Sequence, residues 1–446
     1  MTLKFGTDGV RGVANSELTP ELALALGRAA ARVLGNGAWF LGRDTRRSGP
    51  LLTAALAAGL ASEGARVTDL GVVPTPAVAY ASAAHGVPAA VISASHNPYA
   101  DNGIKLFSAG GRKLPDPVEA ALEAELAALQ AGALHGDRPV RDQVGSVASD
   151  DAVVSAYRDH LLTAALEGRR LDGLRVVVDC ANGAASELAA PVLEGLGVEV
   201  TVLHASPDGT NINAACGSTY PADLQAEVVR VGADVGLAFD GDADRVLAVD
   251  AAGRLVDGDQ IIAICAIDLH ERGRLAHDTV VVTVMSNLGF RQGMAARGID
   301  VVETEVGDRY VLAALDAGGY LLGGEQSGHV IFRDRASTGD GLLTGLGLLD
   351  VVARSGRSLE QLAGAAMTRL PQVLINVVVA QRDPDLMSHL ADDLAVAAAE
   401  LGDRGRILIR NSGTEPLVRV MVEAPTEDEA HHVASRLVKA VERITS

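Results

Sequence analysis

Short apolar runs alternate along most of this chain with longer stretches whose apolar residues return every three or four positions. The runs predict buried strands over 39–41, 66–70, 87–92, 174–179, 198–203, 235–239, 279–285, 300–306 and 320–323. The periodic stretches predict helices over 20–35, 50–63, 186–196, 221–231, 260–270, 290–297, 310–317 and 341–353. Thr19 caps the first helix, with Pro20 at its first position and Leu22, Leu26 and Val33 on one face. Alternation of this kind, with strands apolar on both faces, implies parallel-rich sheets covered by helices. From about residue 370 the rhythm changes. Strands over 373–379, 406–409 and 417–422 surround a helix near 385–401, and Thr426 to Glu429 forms a capping box for a terminal helix. That last stretch predicts an α+β module.

A charged, weakly patterned stretch over 136–151 reads as a linker, which places divisions at 1–147, 148–250, 251–364 and 365–446. Four such parts suit 446 residues at roughly 100–150 residues per domain. No apolar run approaches the roughly 20 residues needed to span a bilayer, and the first twelve residues carry no signal-peptide pattern. Cys180, Cys216 and Cys265 are isolated, without CxxC spacing, so the expected setting is a reducing cytoplasm. A net charge of −19 excludes nucleic acid and anionic membrane as natural partners. An anionic substrate must then be received by a few locally placed basic residues.

Three loops, each after an apolar run, carry groups that do chemistry. Ser93-Ala94-Ser95-His96-Asn97-Pro98 follows the 87–92 run, and Asn97-Pro98 predicts a turn that leaves Ser95 in an exposed loop. Its hydroxyl needs a base, a metal or prior phosphorylation to react. Asp240-Gly241-Asp242-Ala243-Asp244-Arg245 brings alternate carboxylates together, a hard-oxygen set suited to magnesium. A calcium EF-hand would need glycine and glutamate where Arg245 and Ala251 stand. Glu325-Gln326-Ser327-Gly328-His329 offers hydrogen-bonding groups for sugar hydroxyls, and His329 an imidazole able to move a proton. A fourth loop, Arg410-Asn411-Ser412-Gly413-Thr414-Glu415-Pro416, with Arg419 beyond it, has the composition of a phosphate cradle without being a Walker P-loop. The bland readings are an ordinary Ser-His loop, a solvated acidic turn and a Ser-Gly turn.

These four motifs, in this order, resemble the α-D-phosphohexomutase family over essentially the whole chain. Phe5-Gly6-Thr7-Asp8-Gly9-Val10-Arg11-Gly12 adds to the likeness, and Gln326 stands where relatives acting on mannose and glucose phosphates tend to carry methionine. The resemblance implies three related α/β domains with mixed, parallel-rich sheets and a C-terminal α+β lid around a central cleft. It implies an isomerase that interconverts glucosamine 6-phosphate and glucosamine 1-phosphate, on the route to UDP-N-acetylglucosamine and the cell wall. Ser95 is then the phosphoserine; one Mg2+ is held by Asp240, Asp242, Asp244 and a Ser95 phosphoryl oxygen. A sugar 1,6-bisphosphate is intermediate and activator. Arg11, Lys105, His96, His329 and Arg245 are the expected catalytic companions. Glu325, Ser327, Thr304, Gly307, Asp308 and Arg309 are expected on the sugar side. Arg410, Asn411, Ser412, Gly413, Thr414 and Arg419 are expected to hold the phosphate not being transferred. The resemblance also points to a homodimer. The alternatives are a phosphomannomutase/phosphoglucomutase of the same family, a metal-dependent phosphatase releasing inorganic phosphate, and a non-catalytic sugar-phosphate sensor. Binding alone requires neither Ser95 nor three aspartates, which weighs against the sensor.

Overall fold

The computed structural model describes residues 9–132, 138–379, 383, 385–411 and 417–445. They form two compact units, one of residues 1–285 and 299–363, the other of residues 286–298 and 364–446.

The first unit holds three mixed sheets. In the first sheet, Ala38–Arg43 lies between Arg66–Val72 and Ala89–Ile92, all parallel. Asp101–Ser108 then runs antiparallel to both Ala89–Ile92 and Val10–Val13. In the second, Arg175–Asp179 is parallel to Glu199–Leu203 and Val235–Phe239, and Val246–Asp250 returns antiparallel to the latter. In the third, Thr279–Thr283 is parallel to Asp300–Thr304 and Leu322–Gly324, and Val330–Phe332 returns antiparallel. The three sheets therefore share one plan, a parallel set whose last strand turns back through a hairpin. The hairpin residues are 93–100, 240–245 and 325–329. Each of the three chemical loops thus occupies the same topological position, at the carboxyl end of a parallel strand, where open α/β sheets bind their ligands. The sequence shows no repeat, because only the strand plan is shared and not the residues.

The mixed, helix-covered sheets agree with the fold class expected above. Val235–Phe239 and Val246–Asp250 are buried at every position, as strands covered on both faces should be. Two local expectations fail. The stretch read as a linker contributes Ser146–Ser149, a parallel edge strand on Arg66–Val72. All four of its residues are exposed, so no apolar pattern marks it. The second is Pro74-Thr75-Pro76, whose paired prolines predict a turn; Thr75-Pro76 instead opens the helix Thr75–His85 with proline in its first turn, where its missing N–H costs nothing.

The second unit contains a three-stranded antiparallel sheet in which Leu417–Glu423 lies between Gln372–Val378 and Arg406–Asn411. The helix Glu427–Thr445 buries Ala430, Val433, Ala434, Leu437, Ala440 and Val441 against it, a stripe at helical spacing. Thr426 Oγ1 accepts the Glu429 N–H at 3.2 Å, as the capping pattern requires. The helix Leu288–Ala295 belongs to this unit, anchored by the Leu288 N–H on Glu423 Oε2 at 2.8 Å and Asn287 Nδ2 on the Leu370 carbonyl at 2.9 Å. No helix among the described residues is long and apolar enough to cross a membrane.

Candidate active site

Ser95 follows the strand Ala89–Ile92 and sits in the left-handed region, φ +51°. An L-residue there carries a strain of roughly 1–2 kcal/mol, so the surroundings must hold it. They do so through buried polar groups. The Ser95 N–H donates to Ser93 Oγ at 2.9 Å, and Ser93 Oγ donates to Asp44 Oδ2 at 2.6 Å. Burial pushes the Asp44 carboxyl up despite its partners, and Arg46 Nε meets it at 2.9 Å. The Arg46 guanidinium, itself buried, donates to the carbonyls of Ser95 (2.8 Å), Asn97 (2.8 Å), Asp101 (3.0 Å) and Pro98. Asn213 Nδ2 donates to the Ser95 carbonyl from the other side at 2.8 Å. The loop was expected to be exposed, yet Ser95 is fully buried. The correction has a simple cause: the 240–245 and 211–217 loops pack over it. A side chain at Gly241 would have its Cβ 2.7 Å from the Ser95 carbonyl oxygen, so only glycine permits the approach.

The acidic loop meets Ser95 directly. Ser95 Oγ donates to Asp240 Oδ2 at 2.6 Å. Asp240, Asp242 and Asp244 are all buried, and one oxygen from each lies within 4.8 Å of the others. Burial and the Asp244 and Asp242 charges drive the Asp240 carboxyl well above the ordinary range. Burial pushes Asp244 the same way, but Lys105, His329 and Arg245 outweigh it and hold that carboxyl low. Lys105 Nζ lies 2.7 Å from Asp242 Oδ2 and 3.6 Å from Asp244 Oδ2. Thr75 Oγ1 also donates to Asp242 Oδ2, at 2.6 Å. The other oxygens, Asp242 Oδ1 and Asp244 Oδ1, are buried without a hydrogen-bond partner. Buried carboxylate oxygens left unsatisfied at this density are a cation site by their chemistry, and an all-oxygen set suits a hard divalent ion. The donor set therefore fits magnesium.

The neighbouring basic groups are arranged around this pair of loops. His96 Nδ1 is 3.3 Å from Ser95 Oγ, and burial together with the Arg245 and Arg11 charges lowers its pKa to about 4. His96 is therefore a neutral imidazole. Arg245 is partly buried beside the carboxylates, and its backbone N–H reaches Asp240 Oδ1 at 3.3 Å. Their charges more than offset burial and hold its guanidinium firmly charged. Arg11 and Lys105 lie on paired strands of the first sheet.

The sugar-loop candidates lie next to the acidic loop. The Val246 N–H donates to the Gly328 carbonyl at 3.1 Å, stitching the two hairpins. Glu325 accepts from the Gly307 N–H at 3.1 Å and from Ser327 Oγ at 3.3 Å. Gln326 Nε2 is buried without a partner. His329 is buried, with Nδ1 3.6 Å from Asp244 and Nε2 3.4 Å from Asp308. The Gly339 N–H donates to Nε2, which leaves Nδ1 as the protonated nitrogen facing Asp244. Burial alone would lower the His329 pKa; Asp244, Asp308 and Glu325 overcome it and raise the value. Asp308 pairs with Lys113 at 2.7 Å, and Arg309 with Asp116 at 2.7 Å, so both tie the helix Asp308–Gly318 to residues at the edge of the first sheet and at the start of the helix Asp116–Gln130. Thr304 Oγ1 donates to the Glu305 carbonyl at 2.9 Å.

In the second unit, Arg410 and Arg419 stand directly opposite each other on neighbouring strands. Burial and the Arg419 charge lower the Arg410 pKa. Like charges in register repel, and an anion between them removes the cost. Asn411 Nδ2 reaches the Asp383 carbonyl at 3.2 Å, and its Oδ1 is buried without a partner. Ser412, Gly413 and Thr414 lie outside the described residues.

Residue-by-residue reading missed Asp44, Arg46 and Asn213. The loop Gly42-Arg43-Asp44-Thr45-Arg46 was visible as charged residues after a strand, but its target is about fifty positions away in sequence.

Comparison with known proteins follows the same order along the chain. Models described as phosphoglucomutase/phosphomannomutase match as alpha/beta/alpha domain I over residues 2–132, domain II over 155–253, domain III over 257–370 and the C-terminal domain over 374–440. The chain is 57% identical to phosphoglucosamine mutase of Frankia alni, across 99% of this chain and 98% of that one. It is 56% identical to phosphoglucosamine mutase of Acidothermus cellulolyticus, across 98% and 95%. A solved phosphoglucomutase/phosphomannomutase family protein from Burkholderia thailandensis matches with TM-score 0.81 and 27% identity, covering 98% of this chain and 97% of that one. N-acetylphosphoglucosamine mutase of Aspergillus fumigatus, solved in complex with GlcNAc-6P and magnesium, shares the fold at TM-score 0.70 and 19% identity, over 100% and 96%.

Proposed function

This chain belongs to the phosphoglucomutase/phosphomannomutase family, and from that premise we propose how it works as a phosphoglucosamine mutase, interconverting glucosamine 6-phosphate and glucosamine 1-phosphate. The observation that carries the mechanism is the 2.6 Å contact between Ser95 Oγ and Asp240 in a buried three-carboxylate cluster.

Ser95 enters the cycle phosphorylated. Its Oγ–P bond breaks as the free 1- or 6-hydroxyl of the sugar forms a new O–P bond, giving a sugar bisphosphate. The accepting hydroxyl loses a proton and Ser95 Oγ gains one. The bisphosphate turns over in the site, and the same step runs in reverse with its other phosphate, regenerating phosphoserine. Asp240, Asp242, Asp244 and a phosphoserine oxygen would hold magnesium, which when bound neutralises charge on the transferred group. His96, kept neutral, presents Nδ1 at the position where the Ser95 proton is lost and regained. Arg11 and Lys105 orient the accepting hydroxyl from the adjoining strands. His329, shielded and turned towards Asp244, holds the acidic loop in place for the cycle. Glu325, Ser327 and Gln326 bind the sugar in both orientations, and Arg410 and Arg419 hold the phosphate that stays. Burial of Ser95 excludes water, which would otherwise take the phosphoryl group. The homodimer implied by the resemblance and the cytoplasmic setting read from the isolated cysteines are kept in this reading.

Substrate preference is tested by initial rates with glucosamine, glucose and mannose 6-phosphates under one set of conditions. The glucosamine compound is expected to give the largest kcat/KM, by roughly tenfold or more. Equal or better turnover of mannose or glucose phosphate would move the chain to the other branch of the family.

The buried cradle gives a second prediction. Ser93→Ala and Asp44→Asn remove the groups that hold the Ser95 N–H, so kcat is expected to fall roughly ten- to hundredfold through misplacement of Oγ, with KM nearly unchanged. Steady-state kinetics on both variants checks the split.

A further inference from the structure

We propose that Asp179, His204 and Cys216 form a second metal site, of the zinc class, which clamps the 204–217 loop to the second sheet. Asp179 is the last residue of Arg175–Asp179 and pairs in register with Leu203, so His204 emerges beside it at the same sheet end. Cys216 is brought back to that point by Gly217, whose N–H donates to Asp179 Oδ2 at 2.9 Å. One ligand atom from each of the three residues lies within 4.8 Å of the other two.

Two details distinguish this from an ordinary Asp-His pair. His204 Nδ1 is 3.1 Å from Asp179 Oδ2, yet this buried nitrogen makes no hydrogen bond. Their separation is close to the ligand-to-ligand spacing of roughly 3.3 Å in a tetrahedral site with bonds of about 2.0 Å. On the far side of the ring, His204 Nε2 lies 3.4 Å from Asp223 Oδ2. A carboxylate behind a histidine fixes the tautomer that leaves the other nitrogen free to ligate. The donor set of one oxygen, one nitrogen and one sulfur favours a borderline-soft cation over magnesium. Cys216 Sγ is approached by Asn182 Nδ2 at only 3.9 Å, and its thiol proton leaves when a cation binds. Asp179 and Cys216 are buried while His204 is partly exposed, which provides the way in.

The site bears on the first because the clamped loop carries Asn213, whose amide holds the Ser95 carbonyl. The corner is also under strain, with Ala181, Asn182, His204 and Ala215 all at positive φ, and a metal bridge would hold it together.

The test titrates Co2+ into the full-length, chelator-stripped protein in saturating Mg2+, so that the 240–244 loop is already filled. Wild type is expected to bind one cobalt per chain with a near-ultraviolet thiolate-to-cobalt charge-transfer band. Cys216→Ser and His204→Ala should abolish the band, and Asp223→Asn should weaken cobalt binding roughly tenfold while keeping it. Absence of the band in folded wild type overturns the proposal, as does its persistence in Cys216→Ser. The wild-type titration decides the matter even if a variant fails to fold.

Discussion

Ser95→Ala is expected to lower mutase turnover by roughly 10⁴-fold or more while leaving the fold intact. The size follows from the chemistry, because the serine oxygen is the atom to which phosphorus is bonded in each half-reaction. Among the described side chains, the other hydroxyl that donates to Asp240, Asp242 or Asp244 is that of Thr75, which donates to Asp242 from the start of its helix. The fold should survive because alanine tolerates φ +51° about as well as serine does, and the Ser93–Asp44–Arg46 cradle acts on the backbone. The variant should also fail to take up a phosphoryl group from glucosamine 1,6-bisphosphate. Coupled assay and thermal melt together check the prediction; near-normal turnover would remove Ser95 from the reaction.

Asp240→Asn is expected to cut activity on the order of 10³-fold and, without metal, to raise the melting temperature. The two effects have one cause. Asp240 is buried with two further carboxylates, and its folded pKa stands well above its unfolded value. Its contribution to stability is therefore whole below the ordinary carboxylate range and is lost as pH rises through the folded value. Relative to Asp240→Asn, metal-free wild type should lose stability as pH climbs from the ordinary carboxylate range, about 4, upward through the raised value, and Mg2+ should restore most of the loss. Paired melts with chelator and with Mg2+ measure it, the variant cancelling the contribution of the histidines. An unchanged difference across that range would mean that the cluster carries no such penalty.

Much of this site was legible in the sequence because each loop concentrates its groups locally. Asp240, Asp242 and Asp244 come from one hairpin, and Glu325, Ser327 and His329 from another. What the sequence could not show was made by contacts across long separations. Asp44, Arg46 and Asn213 act on the Ser95 backbone from two other loops, and no local spacing records that. The burial of Ser95 escaped for the same reason, since the covering loops belong partly to the second sheet. Ser146–Ser149 escaped because an exposed edge strand lacks alternation, and Thr75–His85 because a proline read as a turn also suits a helix start. The shared hairpin plan of the three sheets is a property of strand order, visible only once the strands are paired.

The most direct test is to dephosphorylate the protein, incubate it with glucosamine 1,6-bisphosphate and Mg2+, and locate the added mass by intact and peptide mass spectrometry. The mechanism predicts one phosphoryl group, on Ser95, that is chased off by glucosamine 6-phosphate. A fully active enzyme that stays unmodified, or carries its phosphate on another residue, would contradict it.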